Sequence, residues 1–189
     1  MKFIVIIISL VIKESLSFHH EDETCMNLEE CRDNNLNITL DMLEGIWFLA
    51  ASIDDSTEDV SKCSYYNVLD GGKPNSLKTD GYQFEINGGA LREFTFFSTY
   101  NSKGDFLYIF PFSNLHYSST VIAIDEDIWI MLTCPICATS DDIGIRGMIM
   151  TRGQFPESHV VEKYKEAYGK CGLLDTDWKL HNQNNCNFC

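Results

Sequence analysis

From Leu43 onward the chain is a series of short apolar or alternating runs rich in Phe, Tyr, Val and Ile, cut at intervals by turn residues. Eight such runs are predicted as strands: 46–54, 63–69, 81–87, 90–99, 105–111, 117–124, 128–134 and 143–151. Asp70-Gly71-Gly72 ends the second run, and Asp141-Asp142 precedes the eighth. Asn87-Gly88-Gly89 joins the third and fourth as a tight hairpin, because Asn and Gly accept the positive φ that such turns need. Asn101-Ser102-Lys103-Gly104 and Asp125-Glu126-Asp127 serve the next hairpins in the same way. Strands joined by short turns are antiparallel neighbours. Eight of them in one domain either stack as a sandwich or close on themselves. Closure removes the exposed edges, and an eight-stranded up-and-down barrel can hold one small ligand. The predicted fold class is therefore all-β and antiparallel, a sandwich or an eight-stranded up-and-down barrel.

A single helix follows. Pro156 stands where a helix would begin, with Glu157 in its first turn. Val160, Val161, Tyr164, Ala167 and Tyr168 recur at helical spacing, and Lys170 and Gly172 suit the end. Its apolar stripe predicts packing on the outside of the barrel.

Ahead of the strands, residues 1–17 read as a signal peptide. Lys2 is the basic start, Phe3 to Ile12 the apolar segment, and Ser15 and Ser17 the small residues before the cut. The run is shorter than the ~20 residues a membrane-spanning helix needs, so a secreted protein with no stable membrane anchor is expected. Residues 18–42 form an acidic N-terminal arm, and 43–189 the barrel with its helix and tail. Asn37-Ile38-Thr39 is a sequon, making Asn37 a glycosylation candidate. The formal charge of −14 repels nucleic acid and anionic membranes and would favour cationic partners.

Nothing in the sequence assembles an enzyme. The histidines lie in no motif with a Ser, Cys or Asp partner, and no phosphate-binding glycine loop occurs. The stretch Cys134-Pro135-Ile136-Cys137 admits three readings: a redox pair, half of a zinc site, or separate disulfide partners. A zinc site would use Cys186 and Cys189 as the second pair, but 48 residues intervene, against roughly 15–20 in common zinc modules. A redox pair needs a helix whose N-terminus lowers the thiol pKa. Here an acidic loop and a strand follow. Eight cysteines in an exported chain favour disulfides, so no metal and no cofactor is expected.

Leu43-Glu44-Gly45-Ile46-Trp47 opens the first strand after the turn-like Leu40-Asp41-Met42. Together with Ser119 to Asp125, Met148-Ile149-Met150-Thr151-Arg152, the helix, and the tail Asn182 to Cys186, it resembles the lipocalin family over about residues 31 to 186. The nearest type is the secreted invertebrate one, bilin-binding or apolipoprotein-D-like, and the resemblance implies the eight-stranded antiparallel up-and-down β-barrel with one C-terminal α-helix packed outside. Ile124-Asp125-Glu126 departs from the family's Thr-Asp-Tyr, and Phe48 stands where Tyr is common. The resemblance implies that Gly45 bends the chain into the first strand, Trp47 closes the narrow end, and Arg152 lies across the indole. It also implies one disulfide from Cys134 to Cys31, with Cys25 the alternative, and another from Cys63 to Cys186. Cys25 with Cys137 and Cys171 with Cys189 would use the remaining four.

Alternation along the strands then nominates the cavity. With Trp47 inward, Leu49, Ala51 and Ile53 follow. With Arg152 at the closed end, Met150, Met148, Arg146 and Gly144 share its face. Ser64, Tyr66 and Val68 are expected inward on the second strand, Tyr82, Phe84 and Ile86 on the third, and Phe106, Tyr108 and Phe110 on the fifth. The ligand-binding candidates are Leu49, Tyr66, Val68, Phe84, Phe106, Tyr108, Arg146 and Met148. Arg146 would meet a ligand carboxylate, an internal acid, or water at the rim. The expected function is non-covalent carriage or sequestration of a small hydrophobic molecule. Two alternatives keep the fold. One is capture of a biogenic amine by acids inside the cup, with Glu93 the candidate. The other is binding of a protease or receptor through the loops.

Overall fold

The computed structural model describes residues 31–32, 35–53, 62–84, 91–109, 116–136, 146–155, 160, 166–171, 179–184 and 186. The proposed signal peptide, the Asn87-Gly88-Gly89 hairpin, the start of the helix at Pro156, and Cys25, Cys137 and Cys189 lie outside them. One short helix, α1 (Leu40–Leu43), leads into eight long strands. These are β1 (Gly45–Ile53), β2 (Lys62–Asp70), β3 (Ser76–Phe84), β4 (Leu91–Tyr100), β5 (Asp105–Ile109), β6 (His116–Ile124), β7 (Ile128–Ile136) and β8 (Arg146–Thr151). Each pairs antiparallel with the next, and β1 pairs with both β8 and β2. The sheet is thus a closed barrel. A two-residue strand, β9 (Lys179–Leu180), adds to β1 outside it.

The turns follow from their residues. Asn101 Oδ1 accepts hydrogen bonds from the backbone N–H groups of Lys103 and Asp105, and Gly104 supplies a φ of 86°. Asp125 Oδ1 takes the Asp127 N–H, and Asp70 Oδ1 the Gly72 N–H. Short polar side chains stand in for the missing ladder partner at each reversal.

Strand β3 begins at Ser76, five residues before the start expected from sequence. Lys78 and Asp80 had the look of a loop, but both stand on the barrel's outer face, where Lys78 Nζ is 2.8 Å from Asp80 Oδ2 and Thr95 Oγ1 donates to Asp80 Oδ1. An ion pair within β3 and a cross-strand hydrogen bond from Thr95 satisfy these groups on the wet face.

Two apolar clusters organise the molecule. One fills the narrow end: Leu43, Trp47, Leu49, Val68, Val121, Trp129 and Met150, capped by Ile38 from the arm. The other lies between the outer face of β6–β8 and the C-terminal segment: Ala50, Ala51, Ile122, Ile130, Leu132, Ile149, Tyr168, Cys31 and Cys171. Residues 166–169 are helical (α2), and Val160, Ala167 and Tyr168 pack on this cluster. The Tyr168 hydroxyl lies 3.0 Å from the Met131 carbonyl and 3.1 Å from that of Met148, fastening the segment to the barrel wall.

The expectation for the second half of β1 is overturned. A register shift between Leu49 and Ala51 marks a bulge in the β1–β8 pairing. Beyond it, Ala51 joins the outer cluster, and Ile53 packs against Gly147, whose Cβ position would lie 3.0 Å from it. One extra residue reverses every later side chain.

Candidate functional site

At the narrow end, Gly45 has a φ of +106°, a conformation L side chains avoid. A Cβ there would meet Arg152 Nη1 at 2.9 Å. Arg152 therefore reaches over β1, its Cζ 3.7 Å from the centroid of the Trp47 ring. Its guanidinium donates to the carbonyls of Ile46 and Met42. Burial lowers the Arg152 pKa, opposed by the nearby Asp127 carboxylate. Trp47 Nε1 donates to the Leu43 carbonyl at 2.8 Å, and Trp129 meets Trp47 edge-on at 5.6 Å between centroids. This end is a solid plug.

Above the plug lies a cavity of about 40 Å³. Its wall is built from Tyr66 and Val68 of β2, Leu77 and Thr79 of β3, Phe96 and Ser98 of β4, Phe106 and Tyr108 of β5, Trp129 and Met131 of β7, and Met148 and Met150 of β8. Of the candidates named from sequence, Tyr66, Val68, Phe106, Tyr108 and Met148 line this space. Leu49 is buried in the plug cluster instead. Arg146 is exposed at the first position of β8, at the end opposite the plug, with its Cζ 5.9 Å from the Tyr117 ring centroid.

The expected parity of β3 is reversed. Leu77 and Thr79 face the cavity, so alternation puts Tyr82 and Phe84 outward. Tyr82 stacks on Tyr65 at 4.6 Å between centroids. The inward side of this stretch is Gly81, where the Phe94 ring occupies the room a side chain would take, and Gln83, which is hydrogen-bonded to Tyr66. Ile86, Phe110 and Gly144 lie outside the described residues. Glu93, the acid nominated for an amine, pairs across the strands with outward Tyr82 and acts electrostatically on outward Tyr65. It stands on the outer face, and no acidic residue lines the described cavity.

Sequence reasoning missed Leu77, Thr79, Phe96, Ser98, Trp129 and Met131 as wall residues. Phe96 and Phe97 are adjacent aromatics, and alternation alone does not say which turns inward. Thr95 and Thr99, which share the parity of Phe97, would have been the useful signal, since they mark that side as the wet one and Phe97 is 60% exposed there.

Polar groups on the inner wall are few and grouped. Ser119 Oγ and Thr133 Oγ1 are 2.6 Å apart, and the Tyr108 hydroxyl lies 3.3 Å from Ser119 and 3.5 Å from Thr133. Burial pushes the Tyr66 phenol up to about 12, and burial also raises Tyr108. Both rings are neutral donors at physiological pH. Trp129 Nε1 is buried with no hydrogen-bond partner.

The cysteines match the expected pairing at Cys63–Cys186 and depart from it at Cys31 and Cys171. Cys63 and Cys186 are bonded, anchoring the tail to β2. Cys134 is also in a disulfide, but Cys31 is a free buried thiol and is not its partner. Cys171 is likewise free, so it is not joined to Cys189. The arm carries Cys31 onto the outer cluster beside Cys171. Asn37 is exposed on the arm. Among the described residues no group of three His, Cys, Asp or Glu side chains could hold a metal. Ser52 Oγ and His181 Nε2 are 2.8 Å apart, a contact that ties the β9 segment to β1. No described helix is long and apolar enough to cross a membrane.

No protein-family model matches the chain, and no curated protein matches it. Solved structures do. Lobster apocrustacyanin A1 is similar at 14% identity and a TM-score of 0.62, over 78% of this chain and 81% of that one. The siderocalin Ex-FABP is similar at 10% identity and 0.59, over 77% and 97%. The bovine lipocalin allergen Bos d 2 is similar at 15% identity and 0.59, over 79% and 99%.

Proposed function

We propose that this chain, which has the lipocalin fold, is a secreted binding protein that holds a small, predominantly apolar molecule in its barrel and carries or sequesters it. The observation that carries this reading is the cavity wall. Rings, methionines and aliphatic side chains from six strands surround a space closed at one end by the Trp47–Arg152 plug. Apolar walls with a few placed polar groups are the usual character of small-molecule sites. The siderocalin Ex-FABP is described as working through dual ligand specificities, which agrees with a barrel of this kind serving as a cup.

The space of about 40 Å³ is far below the roughly 300–1,000 Å³ of drug-sized sites. Binding therefore requires aromatic and methionine side chains to move aside. Methionine is suited to this, having an unbranched and adaptable side chain. The Tyr108–Ser119–Thr133 hydroxyls and the unpartnered Trp129 Nε1 are the groups available to orient a polar atom on the ligand. The driving force is removal of ligand and wall from water. Since Glu93 faces outward, capture of an amine has lost its acid. Export through the leader at 1–17 and glycosylation of Asn37 belong to the same proposal.

The test is a titration of the purified chain with an apolar fluorescent dye, followed by displacement with fatty acids, retinoids and tetrapyrroles. Saturable dye binding that a ligand displaces supports the cup. A barrel that takes up neither dye nor any ligand of the panel rejects it.

A further inference from the structure

We infer that Cys31 and Cys171 are a disulfide-forming pair that clamps the N-terminal arm to the C-terminal segment on the outside of the barrel. Both are buried, at 7% and 3% exposure, in one apolar cluster with Ala50, Ile122 and Tyr168. The two thiols interact directly in that cluster, and Cys171 Sγ also lies 3.9 Å from the Ala167 carbonyl. Each is held there by its own anchor. Arg32, next to Cys31, donates to the Lys103 carbonyl and pairs with Asp105 at 2.8 Å. Cys171 follows α2, where its N–H donates to the Tyr168 carbonyl, and Tyr168 is fastened to β7 and β8. Two segments far apart in sequence thus deliver two sulfurs to one spot without needing a bond to do so. An S–S bond of about 2.05 Å between them joins two segments the fold has already brought together.

Oxidation breaks both S–H bonds and forms one Sγ–Sγ bond. The two protons and two electrons pass to an external disulfide, either a low-molecular-weight disulfide of the glutathione type or the active disulfide of an oxidoreductase, whose S–S bond breaks to give two thiols by two successive exchanges. Only a thiolate attacks, and burial raises the Cys171 thiol well above its ordinary value, with Cys31 adding to the effect. In the folded cluster the bond therefore forms slowly, through the small fraction of Cys171 present as thiolate. The clamp secures the arm that carries Ile38 and Leu40 onto the plug cluster at the narrow end.

The experiment uses the whole chain from residue 18, refolded from the reduced state in a glutathione redox buffer and digested without reduction. Mass spectrometry is expected to find the peptide of Cys31 linked to that of Cys171, and neither cysteine alkylated in denaturant. Recovery of both as alkylated thiols, or either one linked to another cysteine, overturns the inference. Thermal melts of C31S, C171S and the double variant give a second readout on oxidised protein. The two single changes are expected to lower Tm equally and the double no further. Independent, additive losses would mean two separately packed thiols and would also overturn it.

Discussion

The Cζ of Arg152 sits 3.7 Å from the Trp47 ring centroid, and the guanidinium passes so close to Gly45 that a Cβ there would lie 2.9 Å from Nη1. One residue's missing side chain is what lets the cation reach the indole and the two carbonyls behind it. Replacing Gly45 by Ala would force a side chain into φ +106°, at a cost of about 1–3 kcal/mol. Urea denaturation should show that loss. R152K keeps the charge but loses the planar fork that reaches both carbonyls, and is expected to cost about 1–2 kcal/mol.

Gln183 is a buried strut. Its Nε2 donates to the Leu49 carbonyl at 2.9 Å and the Ser64 carbonyl at 3.1 Å, joining the tail to β1 and β2. Truncation to Ala removes the Gln183 donor from both buried carbonyls, which should destabilise by about 1–3 kcal/mol. A Q183A protein with an unchanged urea midpoint would show that the tail contributes nothing there.

The alkaline limit should be set by buried tyrosines. Burial raises Tyr66 from 10 to about 12. Tyr108 and Tyr168 are raised for the same reason. The folded protein thus holds these protons more tightly than the unfolded chain. Their contribution to stability is complete below pH 10 and, for Tyr66, is lost progressively between 10 and about 12. The loss approaches ~1.4 kcal/mol per pH unit for each such group. Denaturation curves across that window should be flatter for Y66F than for the wild type.

At the acid end, Asp80 is held below its usual value by hydrogen bonds from Lys78 and Thr95. Its stabilising effect is present above the ordinary carboxylate pKa of 3.8 and fades as pH falls through the lower folded value. The group is exposed to screening, so D80N should shift the acid transition only slightly. A large shift would mark Asp80 as more than a surface tie.

The reversed parity of β3 separates two phenylalanines that look alike in sequence. Phe106 lines the cavity, and Phe84 stands on the outer parity. F106A should change dye affinity by about tenfold or more, the equivalent of 1.4 kcal/mol, and lower stability by about 3–5 kcal/mol. F84A should leave dye binding unchanged. Equal effects of the two on binding would contradict the assignment of the inner face.

The sequence by itself determined an antiparallel run of strands, while closure rests on the pairing of β1 with β8 as well as β2. The spacing of strand-forming runs and the turn chemistry at Asp70, Asn101 and Asp125 are local properties, and local properties are written in neighbouring residues. The plug was legible only through the resemblance that Gly45, Trp47 and Arg152 carry, since spacing alone does not bring Arg152 to the indole. Tertiary structure alone decided which face of β3 points inward, where β1 reverses its parity, and which cysteines meet. Alternation fixes side chains relative to each other but gives no absolute direction, and one bulged residue between Leu49 and Ala51 inverts all that follow. Cys31 stands beside Cys171 rather than being joined to Cys134 because the path of the arm over the outer face of the barrel, held by Arg32 on Asp105, sets which sulfurs are near. That path depends on contacts between segments distant in the chain, and cysteine spacing does not encode it.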